Sequence, residues 1–266
     1  MLRIGPENHH KHHTPSNILI TGGCGFIGSN FLNYIFDKWP NSKFVNVDKL
    51  ILNSDCNYVD SKICNSDRYK CVLTDIRNTK ILESVLVYGD SELGSKAEPK
   101  TEKEPLLPGN PYAATKAISE YCVHLYQQLY GLPLCTLRIN NIYGPNQWDL
   151  VPRFIEIARK GGKFPVQGSG EQLRSWLYVD DASEGIRLAV EKGGIGEIYN
   201  LGTYVELNVK QVADRVQAEV NRQVGVQGEV EFERIQDRPY NDQRYLIDYT
   251  KAKEELGWEP KMSFEE

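Results

Sequence analysis

The chain has 266 residues, of which 40% are hydrophobic and 25% charged, and a formal net charge of −5. That length buries a sizeable core as one large domain or two small ones. The acid excess, with no basic stripe, argues against nucleic acid as a partner; no apolar run approaches a membrane span or a signal-peptide core, which predicts a cytoplasmic protein.

Residues 1–16 are a polar leader in which His9, His10, His12 and His13 surround Lys11, and a disordered tail is expected. The first element is Asn17-Ile18-Leu19-Ile20, an apolar run that reads as a buried strand. It leads into Thr21-Gly22-Gly23-Cys24-Gly25-Phe26-Ile27-Gly28-Ser29, and Phe31, Leu32, Tyr34 and Ile35 then recur at helical spacing. Glycines at a strand-to-helix turn permit a tight bend and close backbone approach to a ligand. The helix N-terminus behind them offers unpaired N–H groups and a positive dipole end to a phosphate. About twenty residues on, Phe44-Val45-Asn46-Val47-Asp48 ends a second strand with an acid. That is the spacing at which a carboxylate takes the ribose hydroxyls of NAD and repels the extra phosphate of NADP. The glycine turn and Asp48 therefore predict NAD as cofactor.

A third strand, Lys70-Cys71-Val72-Leu73, runs into Thr74-Asp75-Ile76. Residues 111–130 carry a long helical pattern, and Leu134 to Ile139 is strand-like, leading through Asn140-Asn141 to the turn Tyr143-Gly144-Pro145. Helices are expected over 151–160, 181–192 and 208–221, a short strand at Ile198-Tyr199-Asn200-Leu201-Gly202, and strand-like pattern from Gly228 to Ile235. Alternating strands and helices predict an α/β, Rossmann-like, doubly wound parallel sheet. Residues 17–145 would form the dinucleotide part and residues 146–266 mainly a smaller substrate lobe. The six cysteines, Cys24, Cys56, Cys64, Cys71, Cys122 and Cys135, have no metal-ligand spacing; free thiols and no metal are expected.

The chemistry is expected at Asn110-Pro111-Tyr112-Ala113-Ala114-Thr115-Lys116. Tyr112 and Lys116 are four apart and share a helix face. A nearby ammonium stabilises a phenolate, which makes a base usable near neutral pH.

With these segments in view, the chain resembles the extended short-chain dehydrogenase/reductases, and within them the nucleotide-sugar 4,6-dehydratases of the dTDP-glucose or UDP-glucose type. Further matching segments are Asp75-Ile76-Arg77, Val87-Tyr88-Gly89-Asp90, Arg138 to Gln147, Arg174 to Asp181, Tyr199-Asn200-Leu201-Gly202, and Asp237 to Tyr245. The resemblance implies an NAD-dependent lyase acting on a nucleotide-diphosphate sugar. It implies that Gly22, Gly25, Phe26, Ile27, Gly28 and Asp48 hold NAD, with Asp75 and Ile76 at the adenine. Tyr112 would take the sugar 4-hydroxyl proton, Lys116 would hold the nicotinamide ribose, and Ser84 would bond the sugar oxygen. Asn141, Arg174, Asn200 and Arg238 would lie along the nucleotide sugar, where guanidinium suits a diphosphate.

Two departures stand against that pattern. The family carries Thr-Asp-Glu before Val-Tyr-Gly, where the acid and base expel water across C5 and C6; here Ser84, Val85 and Leu86 stand there, and neither Val85 nor Leu86 transfers a proton. Between Asp75 and Val87, moreover, the family has two helices and two strands, whereas this chain has eleven residues. A parallel crossover needs a dozen or more, and about three strand spacings of ~4.8 Å must be crossed. The sheet is therefore expected to be incomplete around 77–86, as in a dehydratase chain with an internal block removed. The family homodimer would be compromised with it, because one of its two pairing helices belongs to that block. A non-catalytic NAD- and nucleotide-sugar-binding variant, or an epimerase or reductase needing only Ser84, Tyr112 and Lys116, is the alternative.

Overall fold

The computed structural model describes residues 14–51, 53–73, 98–225, 228–237 and 242–264. Asp75, Ile76, Ser84 and Arg238, and the expected break at 77–86, lie outside these residues.

β1 (Asn17–Thr21), β2 (Lys43–Asp48) and β3 (Tyr69–Leu73) form a parallel sheet in the order β1-β2-β3. α1 (Phe26–Ile35) follows β1 and packs over this sheet, with Phe31, Leu32, Ile35, Phe36 and Trp39 against Phe44, Val59 and Ile63. Val59 follows the short turn of helix Cys56–Tyr58, and Ile63 belongs to α2 (Ser61–Cys64). Register sets the faces: Ile20, Asn46 and Cys71 are lateral neighbours across the three strands, and side chains of laterally paired residues point to the same face.

β1 differs from the buried strand its apolar run predicts. Ile18 and Ile20 pack on the α1 core, but Leu19, which alternates to the other face, is 66% exposed. A strand of a doubly wound sheet is apolar on both sides because helices cover both faces. Among the described residues only one face of this sheet is covered, so the alternate side chains of an apolar strand meet solvent.

α3 (Pro111–Tyr130) matches its expected span and is followed by β4 (Thr136–Ile139), which pairs in parallel with β8 (Ile198–Leu201). Of the twenty residues of α3, Ala113, Ala117 and Glu120 alone are buried. Ile118, Tyr121, Leu125, Tyr126, Leu129 and Tyr130 are each more than half exposed. A cleft between α3 and the β4–β8 pair is lined by Leu106, Glu120, Tyr121, His124, Leu134 and Arg138.

The remaining elements are β5 (Asn141–Tyr143), α4 (Leu150–Lys160), β6 (Phe164–Gln167), β7 (Leu173–Tyr178), α5 (Val179–Lys192), β9 (Glu206–Asn208), α6 (Val209–Val224), β10 (Phe232–Ile235) and β11 (Arg244–Tyr245). β7 pairs in parallel with β5 and β11 and antiparallel with β9, and β6 pairs in parallel with β10. α4, α5, α6 and β8 fall where helical and strand patterns predict them; the Gly228–Ile235 pattern yields strand only over its second half. β6, β7, β9 and β11 have no counterpart in the sequence-based reading. β6, β9 and β11 have four residues or fewer, and β7 sets Arg174 and Ser175 side by side between Leu173 and Trp176, so no strict alternation marks it.

α5 links the halves. Its buried side joins a core of Ile139, Ile142, Leu177, Leu188, Tyr199, Leu201, Leu256 and Trp258, and it also packs on α1, where the Tyr34 hydroxyl donates to Glu184 and the Trp39 indole to Glu191. Arg187 pairs with both carboxylates. A separate core, Phe154, Phe164, Trp176, Leu207, Val212, Ala213, Val216 and Val220, joins α4, α6, β6 and β7. No described helix is long and apolar enough to cross a membrane.

Candidate active site

The glycine turn closes tightly. Gly22 adopts φ +73°, a conformation that favours glycine; its N–H donates to Val47 O at 2.9 Å and its carbonyl accepts from Gly25 N at 3.0 Å. A Cβ at Gly28 would sit 2.3 Å from Gly22 O and 2.7 Å from Gly23 Cα. Gly28 therefore lets α1 rest directly on the turn. Gly25 caps α1 without a side-chain hydrogen bond, and the first turn contains no acid. The positive end of the helix is left to a ligand.

Asp48 is buried, with one oxygen accepting from Cys24 N and the other from Leu50 N, each at 2.8 Å. A carboxylate oxygen has two lone pairs, so each retains acceptor capacity. Gly22, Gly25, Phe26, Ile27, Gly28 and Asp48 thus form one constellation around a strand–turn–helix bend. Asn46, which the sequence reading did not single out, braces it: its Oδ1 accepts from Gly23 N at 3.0 Å. The available signal was a polar residue inside the apolar strand Phe44-Val45-Asn46-Val47.

A second constellation is built on the N-terminus of α3. Asn110 accepts from Ala113 N at 2.8 Å, and Pro111 occupies the first helical position, where its missing N–H costs nothing. Tyr112 is 56% exposed, and Lys116 Nζ lies 5.4 Å from its ring centroid. The pair therefore faces out together at the start of a capped helix. Asn110 also donates to Asp242 Oδ2 at 3.2 Å, and the Arg174 guanidinium donates to Asp242 O at 2.8 Å while lying 4.7 Å from the Tyr245 ring centroid. Buried Asp242 thus joins the cap of the Tyr112 helix to Arg174, a link that no local sequence pattern reveals.

Asn141 is exposed at the start of β5, in register with Trp176. Asn200 is fully buried; its amide donates to Lys100 O and Asp248 O, and its N–H to Glu102. Asn140, just before Asn141 in the chain, is 4% exposed, with neither amide oxygen nor nitrogen hydrogen-bonded. It lies beside Gly202, where an added Cβ would meet the amide nitrogen at 3.1 Å. Glu120 and Arg138 form a buried pair in which Arg138 Nε donates to Glu120 at 3.0 Å, tying α3 to β4.

The chain is similar to several known proteins. A low-salt glycan biosynthesis protein, Agl12, from Haloferax volcanii is 33% identical, with 94% of this chain and 95% of the relative covered. The alignment spans 307 positions, more than the residues of this chain, so the relative carries internal sequence that this chain lacks. The human dTDP-D-glucose 4,6-dehydratase is 31% identical over 94% of this chain and 87% of its own length. The dTDP-glucose 4,6-dehydratase of Bacillus anthracis, solved in complex with NAD, superposes with a TM-score of 0.83 at 29% identity, covering 94% of this chain and 93% of that one. Residues 84–266 match the family model described as GDP-mannose 4,6 dehydratase. With a glycine cradle at a strand–helix turn, a Tyr–Lys pair on a capped helix and these matches, the chain belongs to the GDP-mannose 4,6 dehydratase family of nucleotide-sugar dehydratases.

Proposed function

We propose that this chain is a dTDP- or UDP-glucose 4,6-dehydratase-type protein that binds NAD and a nucleotide sugar and is impaired in water elimination. The observation that carries the reading is the cradle at Gly22–Gly28: a Cβ at Gly28 would strike backbone, and the uncapped, acid-free start of α1 suits a pyrophosphate. NAD, when bound, supplies the acceptor for the sugar C4 hydride. Asp48 takes ribose hydroxyls with its remaining lone pairs. Beside a 2′-phosphate its like charge costs on the order of several kcal/mol, which selects NAD over NADP. Asp75 and Ile76, outside the described residues, are the proposed contacts to the adenine.

Tyr112 removes the proton from the sugar 4-hydroxyl, Lys116 stabilises the phenolate and holds the ribose, and Ser84 bonds the sugar oxygen. Arg174 and Arg238 grip the diphosphate and Asn141 reaches the nucleotide sugar, while Asn200, fully buried with its amide on Lys100 O and Asp248 O, supports the site from behind; residues 17–145 serve mainly the dinucleotide and residues 146–266 mainly the substrate. Val85 and Leu86 occupy the place of the acid–base pair, and general acid–base groups each contribute about 10²–10⁴-fold. Proton and hydride removal at C4 survives while elimination across C5 and C6 is lost. The same replacement favours a C4 epimerase as second reading, since epimerisation needs no such pair.

The test incubates the protein and NAD with dTDP-glucose and with UDP-glucose, and follows reduced cofactor and sugar products. Transient reduction of NAD without a 4-keto-6-deoxy sugar is expected. A C4 epimer supports the second reading, and dehydration at the rate of a complete relative overturns the first.

A further inference from the structure

Three of the six cysteines arrive at one place from three elements. Cys24 belongs to the glycine turn, Cys56 to the helical turn after β2, and Cys71 to β3. Their Sγ atoms all lie within 4.8 Å of one another, and Cys24 Sγ is 3.6 Å from Cys56 Sγ. None is in a disulfide. Strand register explains the convergence: Asn46 is paired laterally with Cys71, so both side chains leave the same face, and the turn folds Cys24 back over it.

We propose that Cys24, Cys56 and Cys71 form a binding site for a thiophilic divalent d¹⁰ cation of the zinc class. Zinc–thiolate bonds of about 2.3 Å in a tetrahedron place sulfurs about 3.8 Å apart. The observed cluster therefore closes on a cation with shifts of about 1 Å or less. Cys24 is fully buried, Cys56 partly buried and Cys71 exposed, so the cation enters from the Cys71 side and water takes the fourth position.

The surroundings are oriented for it. Gly23 N–H donates to Asn46 Oδ1, which fixes the amide and turns Nδ2 toward the sulfurs, 3.3 Å from Cys24 Sγ and 3.9 Å from Cys71 Sγ. N–H donors of this kind stabilise coordinated sulfur. Cysteine binds such a cation as the thiolate, so binding displaces thiol protons. On binding, three S–H bonds give up their protons to solvent and three metal–sulfur bonds form. No electrons are transferred, and the complex carries one net negative charge. An occupied site ties the glycine turn to β3.

The full chain, held reduced with a phosphine, is titrated with Cd²⁺ while thiolate-to-cadmium charge-transfer absorption and proton release are recorded. The band is expected to saturate at one equivalent with release of up to three protons, and to be reversed by excess Zn²⁺. Histidines of the leader give no thiolate band. C56S and C71S, at positions that reach the surface, are expected to fold, by circular dichroism, and to lose the saturating band; C64S, C122S and C135S are expected to keep it. Absence of the band in the unaltered chain, or its persistence in C56S and C71S, overturns the proposal.

Discussion

The buried pair between Glu120 and Arg138 is the firmest hold on the helix that carries Tyr112 and Lys116. α3 buries only Ala113, Ala117 and Glu120, and two of these are alanines with little area to contribute. Arg138 is 3% exposed and donates to both Glu120 oxygens and to Glu102 O. Glu120→Ala takes the Glu120 counter-charge away from that buried guanidinium. Breaking a buried pair from one side costs about 3–5 kcal/mol, a large fraction of the ~5–15 kcal/mol that holds a folded domain. For a chain of this size that lowers the melting temperature by about 6–20 °C. Replacing both partners, as Glu120→Leu with Arg138→Met, removes both buried charges together and recovers much of that loss. Urea unfolding followed by far-ultraviolet dichroism and tryptophan fluorescence measures both variants. A cost below about 1 kcal/mol for Glu120→Ala, the range of an exposed pair, refutes the assignment of α3's anchor to this contact.

Gly28→Ala should lower NAD affinity and cost about 1–3 kcal/mol, because its Cβ would meet Gly22 O at 2.3 Å; an unfolding curve unchanged or shifted upward, with unchanged NAD titration, contradicts the cradle. Tyr112→Phe should abolish reduction of NAD by nucleotide-glucose, by about 10²–10⁴-fold, and leave the melting temperature within a degree or two, since Tyr112 is 56% exposed; a large stability loss would show that its ring packs. Ile118→Glu with Leu125→Lys should suppress association measured by light scattering, because both sit on the exposed apolar side of α3, and the unaltered chain should aggregate or stay a poorly soluble monomer. A sharp dimer of the unaltered chain would show that another surface has taken over. Asp242→Ala should weaken nucleotide-sugar binding and cost about 1–3 kcal/mol by leaving the Asn110 amide nitrogen without its Asp242 carboxylate; equal affinity and stability would show that the Asn110–Asp242 contact is incidental.

The dinucleotide turn was legible in the sequence because its constraints are local. Gly22 needs a backbone conformation that other residues avoid, Gly28 must lack a side chain for α1 to rest on the turn, and both demands are written within seven residues. The long helices were legible for the same reason: Asn110-Pro111 announces the start of α3, and the Asn208–Gln211 capping box starts α6. The shortage of residues between Asp75 and Val87 could also be read from chain length against the distance a crossover must span. What the sequence did not reveal depends on which distant residues become neighbours. Leu19 is apolar yet exposed, because exposure depends on what covers a strand and not on its own composition. Asp242 joins Asn110 to Arg174 across gaps of 132 and 68 residues, and Glu120 finds Arg138 only when α3 lies against β4. Cys24, Cys56 and Cys71 have no ligand spacing along the chain; parallel register and one tight turn bring their sulfurs together, and that proximity exists only in the folded molecule.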